Sequence, residues 1–291
     1  MKKTIYLHAG THKTGTTAIQ KFLYANKDEL LLYNYDYLID NCIWNAHHPI
    51  GWSFQGNQSA IVQHCPWYER GIINNLENEI NRSEKQNFIL SSENFFQLKN
   101  LDFIERFFKR FSDFNFKVMI YLRHQSSFIE SWYLELVRAD YCKLDASLED
   151  FVNHPMYQLD YNSELIAWTN FVEKQNINLF DFERESSKGL IKGFCEFLDL
   201  DIDSFCAPTT KTNERVSPAQ LNKLLDLNRS NLPHSDWLQK REQILTSSKN
   251  IEINEQGRAL SILNEKLVKK IYIQYERSNE LLKDNFSFSF S

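Results

Sequence analysis

The 291-residue chain predicts an α/β protein built on a parallel sheet. One reason is that short apolar runs rich in β-branched or aromatic residues alternate with stretches of helical periodicity, as they do when strands share a sheet and helices cover its faces. The other is local. The apolar run Ile5-Tyr6-Leu7-His8 passes directly into Gly10-Thr11-His12-Lys13-Thr14-Gly15-Thr16-Thr17, a glycine-bracketed turn followed by a good helical run. A strand that turns tightly into a helix aims backbone N–H groups and the positive end of the helix dipole at one point, which suits an anion.

In chain order, strands are expected at 4–8, 87–91, 116–122 and 178–181, each a short apolar run. Helices are expected at 17–26, 67–83, 103–111, 126–139, 163–174, 186–198, 218–229 and 260–283, where apolar residues recur at helical spacing. Ser217-Pro218 opens the helix at 218 with a serine N-cap and a proline at the first helical position. The stretch 41–68 differs in texture: Trp44, His47, His48, Trp52, Phe54, His64, Trp67 and Tyr68 lie in weakly periodic sequence. Aromatics of this kind either stack on an acceptor such as a sugar or phenol or pack an insertion onto the domain. Phe and Ser alternate over 286–291 as in a strand, but at a chain end fraying is the expectation. No Ser/Gly/Pro-rich linker or repeat divides the chain. A single domain, 1–291, with an acceptor-binding insertion at 41–68 is the economical organisation.

Hydrophobic content of 42% and aromatic content of 14% suffice for a sizeable core. A formal charge of −5 disfavours a nucleic-acid surface, which depends on neutralising phosphates, so any anion must be held by a local site. The five cysteines are scattered with no C-x-x-C pair, pointing to reduced thiols and neither a disulfide framework nor a metal cluster. The apolar runs are too short to span a bilayer, and Met1-Lys2-Lys3 leads into a strand rather than a signal-peptide core. A soluble, cytoplasmic protein is expected.

In a nucleoside triphosphate loop, G-x-x-x-x-G-K-[ST], the lysine after the second glycine reaches the β- and γ-phosphates. Here that slot is Thr16, and Lys13 lies inside the loop. This arrangement fits a nucleotide without a γ-phosphate. A second anion-binding pair follows the strand at 116–122. Arg123 stands at its carboxyl end and Ser131 two turns into the next helix, so a planar charged fork and a hydroxyl can converge on one phosphate.

In these segments the chain resembles the sulfotransferases that use 3′-phosphoadenosine 5′-phosphosulfate (PAPS), in particular their bacterial branch. The resemblance rests on the stretch from His8 to Gln20, on Leu122-Arg123 through Ser131, and, as support, on Asn178 to Glu183 with Phe194 to Leu198 and on Glu276 to Leu282. It implies a three-layer P-loop-type fold with a five-stranded parallel sheet flanked by helices. It also implies that Gly10, Thr11, His12, Lys13, Thr14, Gly15, Thr16 and Thr17 grip the 5′-phosphosulfate, that Arg123 and Ser131 take the 3′-phosphate, and that Lys13 is catalytic. The product would be 3′-phosphoadenosine 5′-phosphate (PAP), and no metal is required. Family members also use a late basic loop, often Arg-Lys-Gly. Lys211 to Arg215 lies in a suitable place but matches poorly.

Sulfuryl transfer is an in-line displacement assisted by positioning, by charge stabilisation and by a base for the acceptor proton. Asn87 to Asn94 reads as a strand that releases the carboxylate of Glu93 at its end, making Glu93 the candidate base or a group that orients Lys13. His47 and His48 are the next candidates, since imidazole suits proton transfer near neutrality. His8 and His12 flank the loop and would shape it or bind the nucleotide. The expected acceptor is a hydroxyl or amine of a carbohydrate or small molecule. The competing functions are a non-catalytic PAP-binding module and a P-loop kinase or NTPase. The latter would want a lysine at position 16 and a strand-end aspartate for magnesium.

Overall fold

Five strands, β1 (Thr4–His8), β2 (Tyr35–Tyr37), β3 (Asn87–Ser91), β4 (Asn115–Leu122) and β5 (Ile177–Asp181), form one parallel sheet in the order β2-β3-β1-β4-β5. The computed structural model describes residues 2–65, 71–153, 159–206, 216–247 and 261–291. All five residues of β1 are buried, as a central parallel strand covered on both faces requires. Its partners on either side are β3, with His8 opposite Ser91, and β4, with His8 opposite Met119. The chain leaves β1 toward β2 and β3 on one side and reaches β4 and β5 on the other, so strand order reverses at β1. A crevice beyond the carboxyl ends of the strands at such a switch point is where open α/β sheets bind ligands.

The chain divides into two compact units. The first comprises Met1–Arg123, Asp160–Thr210 and Ser278–Ser291, and the second His124–Leu159 and Lys211–Arg277. In the first unit the sheet is accompanied by α1 (Thr16–Ala25), α2 (Lys27–Leu32), α3 (His48–Gln55), α4 (Gln58–His64), α5 (Ile72–Arg82) and α6 (Leu101–Arg110). The second unit begins with α7 (Gln125–Arg138) and α8 (Leu148–Asn153). The chain then returns to the first unit for α9 (Tyr161–Trp168), α10 (Phe182–Lys188) and α11 (Leu190–Phe197). The second unit adds α12 (Pro218–Asn228) and α13 (His234–Thr246), and the residues of α14 (Glu265–Phe286) fall in both.

Beneath the amino-terminal turn, Ile19, Phe22 and Leu23 of α1 pack with Tyr6 of β1, Tyr121 of β4 and Phe194 of α11. In the second unit Tyr133 and Val137 of α7 pack with Leu221, Leu224 and Leu225 of α12. There the Nδ2 of Asn228 donates to the carbonyls of Val137 (2.7 Å), in the last turn of α7, and Leu144 (2.8 Å), in the loop that follows it. The expected Ser217 cap is present as a full capping box with Gln220.

Several expected elements differ in the structure. The helix expected at 186–198 is two helices, because Gly189 takes φ 101° between them. The one expected at 163–174 is α9, which ends at Trp168 and gives way to turns. The one expected at 67–83 is described as α5 from Ile72, with Trp67 and Tyr68 outside the described residues. The aromatic insertion contains two helices, α3 and α4, where none was expected. The 286–291 tail does not fray. Phe288 is buried, and the backbone N–H and the hydroxyl of Ser291 both donate to Asp181, at 2.8 and 2.6 Å.

Candidate active site

The turn between β1 and α1 is fixed by its own threonines. Thr11 donates its hydroxyl to the Tyr121 carbonyl at 3.1 Å and its N–H to the same carbonyl at 3.2 Å, tying the loop to β4. Thr14 donates its hydroxyl to the Thr11 carbonyl at 2.6 Å. Both threonines are buried with their hydroxyls bonded to backbone carbonyls, so they shape the loop; Thr16 is buried as well, and the side chains the loop leaves partly or fully exposed are His12, Lys13 and Thr17. Lys13 is half-buried with φ 65°, and Thr17 is exposed at the start of α1.

In the loop, glycine is favoured by close approach at Gly10 and by backbone conformation at Gly15. A Cβ on Gly10 would sit 2.9 Å from Thr16 Cγ2, 3.1 Å from Thr14 Oγ1 and 3.3 Å from His8 Nε2. Gly15 is the N-cap of α1 with φ 72°, and a Cβ there would meet Leu190 Cδ2 at 2.4 Å. Gly15 supplies no side-chain cap, and no acidic residue occupies the first turn of α1. The positive end of the helix is therefore not neutralised from within, which is the condition for receiving an external anion.

Under the loop, His8 is buried. Its Nδ1 lies 2.7 Å from Ser91 Oγ, its ring meets Tyr121 and Phe194 edge-on, and its Nε2 has no hydrogen-bond partner among the described residues. Burial pushes its pKa down to about 4, opposed only by the Glu93 carboxylate, so His8 is neutral and shapes the loop from below.

The carboxylate expected at the end of β3 stands beside this loop. Gln20 of α1 donates its Nε2 to Glu93 Oε2 at 3.0 Å, joining the phosphate-loop helix to the strand end. Burial works to raise the Glu93 pKa, but the His48 and His12 imidazoles and the Gln20 hydrogen bond outweigh it and hold the carboxyl below its ordinary value. Glu93 is thus an ionised carboxylate at neutral pH, able to accept a proton. Gln20 is a site residue that the sequence reading missed. Its signal was its place one helical turn after Thr16 on α1, which puts it on the loop's face of the helix.

The two histidines proposed as alternative bases differ. His47 is fully buried; its Nε2 donates to the Leu38 carbonyl at 2.7 Å, and its Nδ1 accepts the Ser91 N–H at 3.1 Å. Burial pushes its pKa down to about 3. With both nitrogens engaged by backbone, His47 is a strut that fixes the insertion to the end of β3 and cannot take an acceptor's proton. His48 accepts from Asn94 Nδ2 at 3.3 Å, lies 3.2 Å from Ser92 Oγ and stacks on Trp52. Burial lowers its pKa against the pull of Glu93.

Arg123, at the end of β4, is held by a residue that sequence reading did not anticipate. Its Nε donates to Glu183 Oε1 at 2.9 Å, its Nη1 donates to the Lys13 carbonyl at 3.1 Å, and its guanidinium lies over the Phe182 ring. Arg123 therefore reaches the phosphate loop but shares its charge with a carboxylate. The second oxygen of Glu183 is buried with no hydrogen-bond partner among the described residues. Ser131 is half-buried on α7 in the second unit, and Lys211 to Arg215 lie outside the described residues.

A sulfotransferase from Alicyclobacillus acidocaldarius superposes over 98% of this chain and 96% of its own length, with a TM-score of 0.52 and 11% sequence identity. The chain has the sulfotransferase fold. A retinol dehydratase solved with androsterone and the inactive cofactor PAP covers 97% of this chain and 81% of its own at 12% identity, with a TM-score of 0.41. The sulfotransferase domain of the Synechococcus PCC 7002 olefin synthase covers 85% and 95% at 16% identity, with a TM-score of 0.39. Only the first of these exceeds a TM-score of 0.5. No protein-family model matches the chain, and no curated protein matches it. Within the sulfotransferase fold the β1–α1 turn, Glu93 and Arg123 all belong to the first unit, at or just beyond the carboxyl ends of β1, β3 and β4. No helix among the described residues is long and apolar enough to cross a membrane.

Proposed function

We propose that the protein is a PAPS-dependent sulfotransferase acting on a hydroxyl or amine, with 1–291 as a single sulfotransferase-like domain and 41–68 as its acceptor-binding insertion. The observation that carries this reading is the coupling, through one helix, of an anion-receiving turn and a carboxylate: α1 is capped by Gly15 of the turn and holds Glu93 through Gln20. Bound PAPS would supply an activated sulfuryl group, whose bond to the 5′-phosphate oxygen breaks as the acceptor oxygen bonds to sulfur. Lys13 and the loop N–H groups offset charge on the departing phosphate oxygen. Glu93, ionised beside His48 and His12, accepts the acceptor's proton. Arg123, already against the Lys13 carbonyl, is the group to meet a 3′-phosphate. Thr16 in the slot of the kinase lysine disfavours triphosphate chemistry.

A transfer assay with sulfate-labelled PAPS, run over carbohydrate, lipid and small-molecule hydroxyl panels, tests the reading. Label should move to at least one acceptor class, and Lys13→Ala should reduce transfer by orders of magnitude while weakening PAP binding less. Tight PAP binding without transfer to any acceptor would instead identify a binding module. Equal turnover by mutant and parent would remove Lys13 from the chemistry.

A further inference from the structure

Next to Glu93, in the same unit, four aromatic rings form a cluster of which the proposed reaction centre uses only His48. His48 stacks on Trp52 (ring centroids 5.7 Å apart, 18° between planes), His64 lies 5.6 Å from Trp52, and Trp44 closes the group at 4.9 Å from His64 and 6.1 Å from Trp52. His48 connects the cluster to the carboxylate: its ring nitrogen meets Ser92 and Asn94, the residues flanking Glu93. Trp52 and His48 are buried, but Trp44 is 65% exposed.

The backbone under Trp44 is unusual. Ile43 and Ala46 exchange N–H···O bonds of 2.8 and 3.0 Å, and the two residues between them, Trp44 and Asn45, have φ of 52° and 66°. This is a two-residue turn of the kind that prefers Asn-Gly, because both central positions need positive φ. A tryptophan there is disfavoured by its Cβ, and its exposed indole returns little burial. Strained positions that folding does not need are typical of ligand clamps.

The chemistry around the cluster narrows the ligand. From Asp28 to Glu69 the sequence has no lysine or arginine, so this segment has no cation to attract a carboxylated or already sulfated acceptor. Trp44 is the exposed member of the cluster, whereas a small apolar acceptor is normally enclosed over most of its area. Indole faces meet apolar C–H faces, while the imidazole nitrogens of the same cluster suit hydroxyl groups. From these features we infer that the exposed Trp44, with His64 beside it and the buried Trp52 and His48 backing it, forms a platform for a neutral pyranose unit of a longer glycan, presenting one of its hydroxyls to Glu93. The delivery to Glu93 rests on the sulfuryl-transfer reading; the binding of sugar does not.

Calorimetry and saturation-transfer NMR on the full chain without donor, with cellotetraose, maltotetraose, chitotetraose, a chondroitin sulfate tetrasaccharide and 4-nitrophenol as probes, test the platform. At least one neutral tetrasaccharide should bind in preference to the anionic sugar and the phenol. Trp44→Ala should weaken that binding at least tenfold while PAP affinity stays within twofold of the parent. Trp44→Gly, which relieves the positive-φ turn, should melt no earlier than the parent yet lose the sugar equally, separating a binding role from a structural one. The platform is overturned if no neutral tetrasaccharide binds, if the anionic sugar or the phenol binds better, or if both Trp44 variants bind sugar like the parent. A parent chain that binds sugar but not PAP overturns the donor reading alone, and one that binds PAP but no neutral sugar overturns the platform alone.

Discussion

Glu183→Gln should tighten binding of PAP, an expectation that follows from the company Arg123 keeps. Arg123 and Glu183 are paired at 2.9 Å with side chains 17% and 30% exposed, and the same guanidinium donates to the Lys13 carbonyl of the phosphate loop. Opposite unit charges about 4 Å apart at an effective dielectric near 20 attract by roughly 4 kcal/mol. Solvent reaches this pair, so the range for a hydrogen bond to a charged group, about 1.5–3 kcal/mol, is the better guide to what Glu183 withholds from an incoming phosphate. Glutamine keeps the size and one acceptor oxygen but removes both the competition and the repulsion between carboxylate and phosphate. At about 1.4 kcal/mol per decade, the affinity for PAP should rise about ten- to a hundredfold. The assay is calorimetric titration of parent and variant with PAP and with adenosine 5′-phosphosulfate, which lacks the 3′-phosphate, at fixed salt. Adding Arg123→Ala to the variant should abolish the gain. If both nucleotides tighten alike, or PAP binding weakens, Arg123 is not the group that reads the 3′-phosphate.

Three further outcomes are expected. Gln20→Ala removes the hydrogen bond that helps hold Glu93 ionised, so the acid limb of the kcat profile should move to higher pH with PAP affinity unchanged; an unmoved limb would separate Glu93 from proton transfer. Gly15→Ala combines a positive φ with a Cβ 2.4 Å from Leu190 and should cost about 1–3 kcal/mol in urea unfolding, so a variant as stable as the parent would contradict the loop geometry. His8 and His47 are buried neutral, with pKa values lowered from 6.5 to about 4 and about 3. Below 6.5 the unfolded chain binds more protons than the folded one, so stability present at neutral pH is lost on acidification toward 4, on the order of 2–3 kcal/mol per histidine by pH 4.5. Urea unfolding at pH 7.5 and 4.5 should show this loss, and His47→Gln should lose less across the same interval.

The parts of the fold legible in the sequence are those whose pattern is local. Strands β1 and β3 were expected at their observed bounds, and β4 and β5 within one residue, because buried parallel strands read as uninterrupted apolar runs between breakers. The strand β2, Tyr35–Tyr37, was not, since three residues are too few to show a period. Helix α3 escaped notice for a different reason: every residue from His48 to Phe54 is buried, so it has no polar face to alternate with. Helix α13 has the opposite character, with Trp237 as its one buried residue. At the site, the glycine spacing and Lys13 were visible in the sequence, and so was the strand-end carboxylate. The partners were not: Gln20 meets Glu93 across 73 positions, and Glu183 meets Arg123 across 60, pairings that only tertiary structure creates.

The clamping of His47 by two backbone groups has a consequence for how such a scaffold can diversify. One imidazole rivets the insertion to the core sheet, at Leu38 on one side and Ser91 on the other, while Trp44 lies on an exposed two-residue turn beyond the rivet. Substitutions at the outer rim can accumulate without disturbing the joint, so on the proposed reading preference for an acceptor would drift while the β1–α1 turn stays as it is.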